Sequence, residues 1–182
     1  MERYYSFWRR LGSGILDAFV LLPISILTSK LITPESLYSS YSVMVVQSFL
    51  FILYNVLCTG LGGQTIGKIL LGIRILDVNE KEVIGIKRAF VRDAFPIILE
   101  VISLLILGLQ LFEQINADNL SSLAENIISY AWFSWLLAEL ITMFLNPKRR
   151  AIHDLLANSV VISFKGQKFD QLDQELEAKR LM

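Results

Sequence analysis

Four carboxylates lie inside apolar runs where lipid would leave them no water: Asp17, Asp93, Glu100 and Glu139. An ionised acid at membrane depth costs several kcal/mol unless it is paired, hydrated or protonated, so each is a candidate for function. A carboxylate that takes either a proton or a monovalent cation couples the two by competition. At about 1.5 Å per helical residue, Asp17 and Glu139 come about 9 Å into the bilayer, Asp93 stays shallower and Glu100 reaches the midplane. Asp93 and Glu100 are seven residues apart and share a helix face. Acids at graded depth suit a cation or proton path. The same residues also suit a static network, in which Arg10, Arg92 and Arg149 or Arg150 neutralise Asp17, Asp93 and Asp154 while Glu100 is left to its apolar surroundings.

Spacing limits the pairings. Arg10 and Asp17 lie on one helix face but about 10 Å apart along the axis, too far for a direct ion pair, so each needs another partner. The densest polar cluster is Asn146-Pro-Lys-Arg-Arg-Ala-Ile-His-Asp-Leu-Leu-Ala-Asn. Pro147 and the charges end an apolar run, and residues 152–157 read as a short interfacial helix that returns the chain toward the bundle. Asp154 then pairs with Arg10, or Asp17 with Arg149 or Arg150. His153 is the single histidine. Its ordinary pKa near neutrality suits a proton relay, and its place beside an acid equally suits a hydrogen-bonded structural role. Metal ligation by it finds less support.

These residues must be held by membrane helices. Of 182 residues, 54% are hydrophobic and 19% charged, too apolar for a soluble domain. About 20 apolar residues cross a bilayer, and four stretches qualify, at about 11–31, 41–60, 91–112 and 126–145. Pro23, Asn55, Pro96 and Glu139 interrupt them, as expected of helices packed against one another. The expected fold is therefore an all-α membrane bundle of four helices. Arg3, Arg9 and Arg10, then Lys68, Arg74, Lys81, Lys87 and Arg88, then Lys148, Arg149 and Arg150 flank the spans on one side. The positive-inside bias thus makes both termini cytoplasmic, in the cell (inner or plasma) membrane. The run behind Arg9 and Arg10 contains Asp17 and no cleavage signature, so the first span is expected to be retained.

Outside the spans, residues 69–88 hold two β-branched runs around Asn79-Glu80 and read as a cytoplasmic hairpin, with residues 159–164 as a third strand. Residues 1–164 form the membrane domain, and the charged stretch 165–182 reads as a solvated cytoplasmic tail. Gly62-Gly-Gln-Thr-Ile-Gly-Lys68 mimics a phosphate-binding loop, but Ile69 stands where the magnesium-binding hydroxyl belongs, and the sequence shows neither a preceding strand nor a following helix. Lys68 then serves the positive-inside bias or a lipid phosphate. The lone Cys58 has no metal-ligating neighbours and reads as a packing residue. A formal net charge of zero gives no argument for nucleic acid. No loop assembles a nucleophile with a base, so neither an enzyme nor a cofactor is expected.

Four blocks, taken together, resemble the RDD family of prokaryotic membrane proteins: Arg10-Leu-x5-Asp17, Gly63-Gln-Thr-Ile-Gly-Lys through Asp77, Arg88-Ala-x2-Arg92, and Arg150-x2-His-Asp-Leu-Leu-Ala-x-Ser-Val-Val. They occur in the family's order over about residues 6–163. The family's arginine and two aspartates match Arg10, Asp17 and Asp154. The resemblance implies a membrane module, and for some members exchange of Na+, Li+ or K+ for protons. Two functions follow as expectations. In an antiporter, Asp17, with Glu100, takes the cation or proton, Arg10 and Asp154 tune it, and a homodimer supplies room for alternating access. In a scaffold or accessory subunit, the charged trio locks the bundle and the cytoplasmic face meets a protein partner.

Overall fold

The structure, a computed structural model, describes residues 4, 6–32, 36–113, 118–164 and 178. In chain order it comprises α1 (Phe7–Leu31), α2 (Leu37–Leu57), a π-helical turn (Cys58–Gly62), α3 (Ile66–Leu70), β1 (Ile73–Asp77), α4 (Gly85–Glu113), α5 (Asp118–Leu145), α6 (Ile152–Leu156) and β2 (Ser159–Ser163). Four segments are long and apolar enough to cross a membrane, Phe7–Leu31, Tyr38–Gly62, Gly85–Leu111 and Leu123–Leu145. Large side chains along them, Phe19, Phe49 and Phe133 among them, are exposed. So much apolar surface is untenable in water and natural against lipid. The chain is a mostly helical, four-span membrane protein with a small sheet.

Local sequence explains the helix ends and close contacts. Ser36 starts α2 through a reciprocal capping box with Ser39. The π-helical turn packs so tightly on the first turn of α4 that a Cβ on Gly60 would stand 2.7 Å from the Ile86 Cα. Near the other end of the bundle, Gly108 of α4 leaves room for Tyr41, whose hydroxyl donates to the Leu104 carbonyl at 3.3 Å. Phe95 and Trp135 stack at 4.0 Å and join α4 to α5, while Phe7 and Phe144 meet at 6.0 Å and bring the start of α1 to the end of α5.

The best-buried apolar residues sit at one end of the bundle, around the sheet. β1 and β2 pair antiparallel, Ile73 opposite Ser163 and Asp77 opposite Ser159. Ile73, Ile75 and Val161 pack with Val56, Ile84 and Ala89 from the adjoining helices. Leu76, Val160 and Ile162 pack with Phe164, Tyr4 and Val83. Both faces are thus covered, and the sheet is anchored to α2 and α4.

A sheet is present where a hairpin within residues 69–88 was expected, but its strands lie about eighty residues apart in sequence. Ile69 and Leu70 belong to α3, and β1 begins after Gly72, whose φ is +62°. The chain then turns tightly, with the Asp77 carboxylate accepting from the Lys81 N–H at 2.8 Å. Gly85, at φ +76°, opens α4 and leaves Val83 and Ile84 too short a run for a second local strand. β2 takes the vacant edge of β1 instead. The tail expected at 165–182 lies outside the described residues apart from Ala178, as does 114–117 of the acidic connection.

Candidate functional site

Asp17 points inward from α1 and is 5% exposed. Three donors meet it: the Tyr54 hydroxyl at 2.7 Å and the Gly67 N–H at 2.8 Å on Oδ1, and the Thr65 hydroxyl at 2.5 Å on Oδ2. Lys68 Nζ stands 3.9 Å from Oδ2. Tyr54 also accepts from the Ile66 N–H at 2.9 Å, so one hydroxyl ties the loop to α2 and α1 together. The glycine-rich loop therefore binds an anion, and that anion is the chain's own carboxylate. A short helix, α3, does follow the loop, contrary to the sequence reading. The close approach demands glycine, since a Cβ on Gly67 would lie 2.3 Å from the Ser13 carbonyl oxygen and 2.9 Å from the Asp17 carboxyl. Burial, with Arg92 as the next influence, pushes the Lys68 ammonium down to about 8 against the opposing pull of Asp17.

Asp17 does not pair with Arg149 or Arg150. The Arg149 guanidinium lies 5.7 Å from the Phe144 ring centre. Arg150 donates through Nε to the Ser159 carbonyl at 2.8 Å and through Nη2 to the Asp154 carbonyl at 3.1 Å. Both follow Pro147 in a turn, with Arg149 at φ +51°.

Asp154, fully buried, holds a second charge centre. Arg10 Nη1 reaches Oδ2 at 2.5 Å and Arg92 Nε reaches Oδ1 at 3.1 Å. At the third position of α6, Asp154 also accepts from the Ala151 N–H at 3.2 Å, and Ser159 Oγ donates to Oδ1 at 3.3 Å. Arg10 is fixed further by the Arg149 carbonyl and the Ser6 hydroxyl, each at 3.0 Å. Burial alone would raise the Asp154 carboxyl, but Arg10, His153 and Arg92 outweigh it and hold it well below the usual carboxylate range. This centre joins α1, α4 and α6 at the foot of the bundle.

His153 links that centre to the membrane interior. Its Nδ1 is hydrogen-bonded to Glu139 Oε1 of α5, Arg92 Nη2 donates to its Nε2 at 2.7 Å, and Asp154 Oδ1 lies 3.3 Å from the same nitrogen. Burial and then Arg92 push the imidazole down; the Asp154 and Glu139 carboxylates push it up by more, and the net shift is upward. Asp93, beside Arg92 at 3.8 Å, is the remaining acid of this end.

Two cavities adjoin here. One, of about 320 Å³, is bordered by Arg10, Asp17, Lys68, Arg92, Glu139 and His153. The other, of about 750 Å³, has walls from α1, α2, α4 and α5, and its polar lining is Gln47, Ser48, Asn55, Asp93, Glu100 and Glu139. Glu139 and Asn55 border both. Ser48 donates to Glu100 Oε1 across the larger one. The structure thus brings Asp93, Glu100 and Glu139 to one space, sets Asp17 in a saturated socket beside it, and gathers Arg10, Asp154, Arg150 and His153 below. Among the described residues, no group of three His, Cys, Asp or Glu side chains is placed to hold a metal ion.

Sequence reasoning left out Tyr54, Thr65 and Ser48. Their signal was a hydroxyl within or just beyond an apolar span, which needs a buried partner wherever lipid gives none.

Four membrane helices clasped at one end by a two-strand sheet and an arginine–aspartate centre define a polytopic membrane protein. The RDD family model matches residues 4–158, and the chain belongs to the RDD family. No curated protein and no solved structure matches the chain.

Proposed function

We propose that the protein is an ion-coupled transporter of the cell membrane that exchanges Na+, Li+ or K+ for protons at Glu139, Glu100 and Asp93. The convergence of these three carboxylates on one cavity of about 750 Å³ among the four helices carries this reading. The roles of the acids shift from the sequence expectation. Asp17 already has three hydrogen-bond donors and Lys68, and Asp154 has two arginines, so both have little capacity left for a passing cation. They hold the helices, while the cavity acids exchange ligands. Both termini and the sheet lie on the cytoplasmic side, following the lysine and arginine distribution. A homodimer gives a bundle of four spans the surface against which to rock. No enzymatic step and no cofactor belong to this reading; its partners are lipid and the exchanged ions.

A second reading, a scaffold or accessory subunit that binds a protein at its cytoplasmic face, is favoured by one observation. The most deeply buried residues, charged and apolar, concentrate at the sheet end, as a rigid docking module would require. Purified protein in liposomes loaded with a pH-sensitive dye discriminates the two. Cation-driven proton movement on adding Na+, Li+ or K+ supports transport. A folded, oriented sample that moves no protons with any of the three at acidic, neutral or alkaline pH removes the transport reading and leaves the scaffold.

A further inference from the structure

We propose that His153 carries the proton between the cytoplasmic face and Glu139, and that Arg92 is the latch deciding whether the ring can accept one. The proposal rests on the reading of Glu139 as a working acid. A guanidinium only donates hydrogen bonds, so Nε2, 2.7 Å from Arg92 Nη2, must be an acceptor. While Arg92 donates to Nε2 the imidazole is neutral, with its proton on Nδ1, where it donates to Glu139; once protonated, the ring joins the two arginines that hold the Asp154 carboxyl down. A second arrangement is built into the same contacts. Asp154 Oδ1 lies 3.3 Å from Nε2 and would accept a proton carried there, if Arg92 Nη2 withdrew. Arg92 has places to rest after withdrawing: its Nε is 3.1 Å from Asp154 Oδ1 and its Nη1 is 3.8 Å from Asp93.

A proton from cytoplasmic water bonds to Nε2 as Arg92 leaves, giving an imidazolium between Asp154 and Glu139. The Nδ1–H bond then breaks, and its proton bonds to Glu139 Oε1. One proton has moved inward, and the ring is neutral again with its proton on Nε2. After Glu139 passes its proton on, Nε2 releases its proton to water and Nδ1 takes one from water, which resets the ring with one proton moved; the reverse sequence moves a proton outward. The His153 and Glu139 side chains are 18% and 23% exposed and border the cavity of about 320 Å³, while Asp154 is sealed.

The charged neighbours pull the ring both ways, with the net toward the imidazolium. Arg10 from α1, Lys68 from α3 and Arg92 from α4 disfavour a positive charge on the ring. Asp17 from α1, Asp93 from α4, Glu139 from α5 and Asp154 from α6 favour it. A histidine placed so is sensitive to small movements of one guanidinium.

The chain holds one histidine. Nitrogen NMR on full-length protein labelled at histidine, purified through a tag without histidine and held in lipid nanodiscs, therefore reports one ring. We expect the Nδ1–H tautomer at alkaline pH, conversion to imidazolium on acidification, and a lower midpoint in Glu139→Gln, which removes one carboxylate. In liposomes, His153→Gln, which keeps hydrogen-bonding capacity but cannot titrate, should lose roughly tenfold or more of the cation-driven proton flux. An Nε2–H tautomer at alkaline pH, a midpoint unmoved by Glu139→Gln, or full flux in folded His153→Gln overturns the proposal. Full flux in that variant leaves the transport reading standing. No flux in the unmodified protein overturns both.

Discussion

Replacing Asp154 by Asn should destabilise the protein by about 3 kcal/mol, the lower end of what removing one member of a buried ion pair costs. Asn keeps the shape of the side chain and one acceptor oxygen, which can still serve Arg92 or Ser159. The charge is lost, however, and Arg10 keeps only the neutral Arg149 carbonyl and Ser6 hydroxyl in place of a carboxylate at 2.5 Å. Arg92 fares better because Asp93 remains at 3.8 Å. A loss of about 3 kcal/mol is roughly a hundredfold in the folded-to-unfolded ratio, enough to lower both the melting midpoint in detergent and the amount recovered from membranes. The sign with pH is fixed by the depressed carboxyl. Its stabilisation is complete above the unfolded value near 3.8 and disappears only as pH falls through the lower folded value. The gap between Asp154→Asn and the unmodified protein should therefore be full at neutral pH and close in strong acid. Equal melting midpoints at neutral pH, or a gap that persists unchanged in acid, would show that the Asp154 charge does not hold the bundle.

Gly67→Ala should cost roughly 1–3 kcal/mol by overpacking, because its new methyl meets the Ser13 carbonyl and the Asp17 carboxyl. Gly14→Ala, which meets nothing within 4 Å, should stay within about 1 kcal/mol of the unmodified protein, and melting in detergent compares the two. Lys68 should titrate at about 8, read by NMR of isotope-methylated lysines. Because its folded value lies below the unfolded 10.5, the folded state binds fewer protons in that window and stability rises with pH from about 8 to 10.5. Lys68→Met should flatten that slope, and a Lys68 signal titrating at the ordinary lysine value would contradict the buried placement.

Hydropathy made the four helices legible, because a bilayer permits so few backbone solutions at membrane depth. Seven-residue spacing showed that Arg10 and Asp17 must look past each other, and each does have other partners. The sheet was half legible: β-branched runs within 69–88 and at 159–164 mark strands, yet a run carries no information about its partner. The closing pairing spans the whole interval of α4, α5 and α6. The glycine-rich loop was legible only as something other than a nucleotide site. Its donors do suit an anion, but nothing local says that the anion is a side chain fifty residues earlier in the chain. Likewise Glu139 and His153 are fourteen residues apart across a proline turn, and only the return of α6 beneath the bundle brings them together.

Exchange at the cavity acids and a structural Asp17 make opposite predictions for two variants. The direct test compares Glu139→Gln with Asp17→Asn in oriented liposomes, both corrected for folded protein, under an imposed Na+, Li+ or K+ gradient. Glu139→Gln should abolish cation-driven proton flux while folding normally, and whatever Asp17→Asn protein folds should retain it. Full flux in Glu139→Gln, or its loss in well-folded Asp17→Asn, would contradict that assignment.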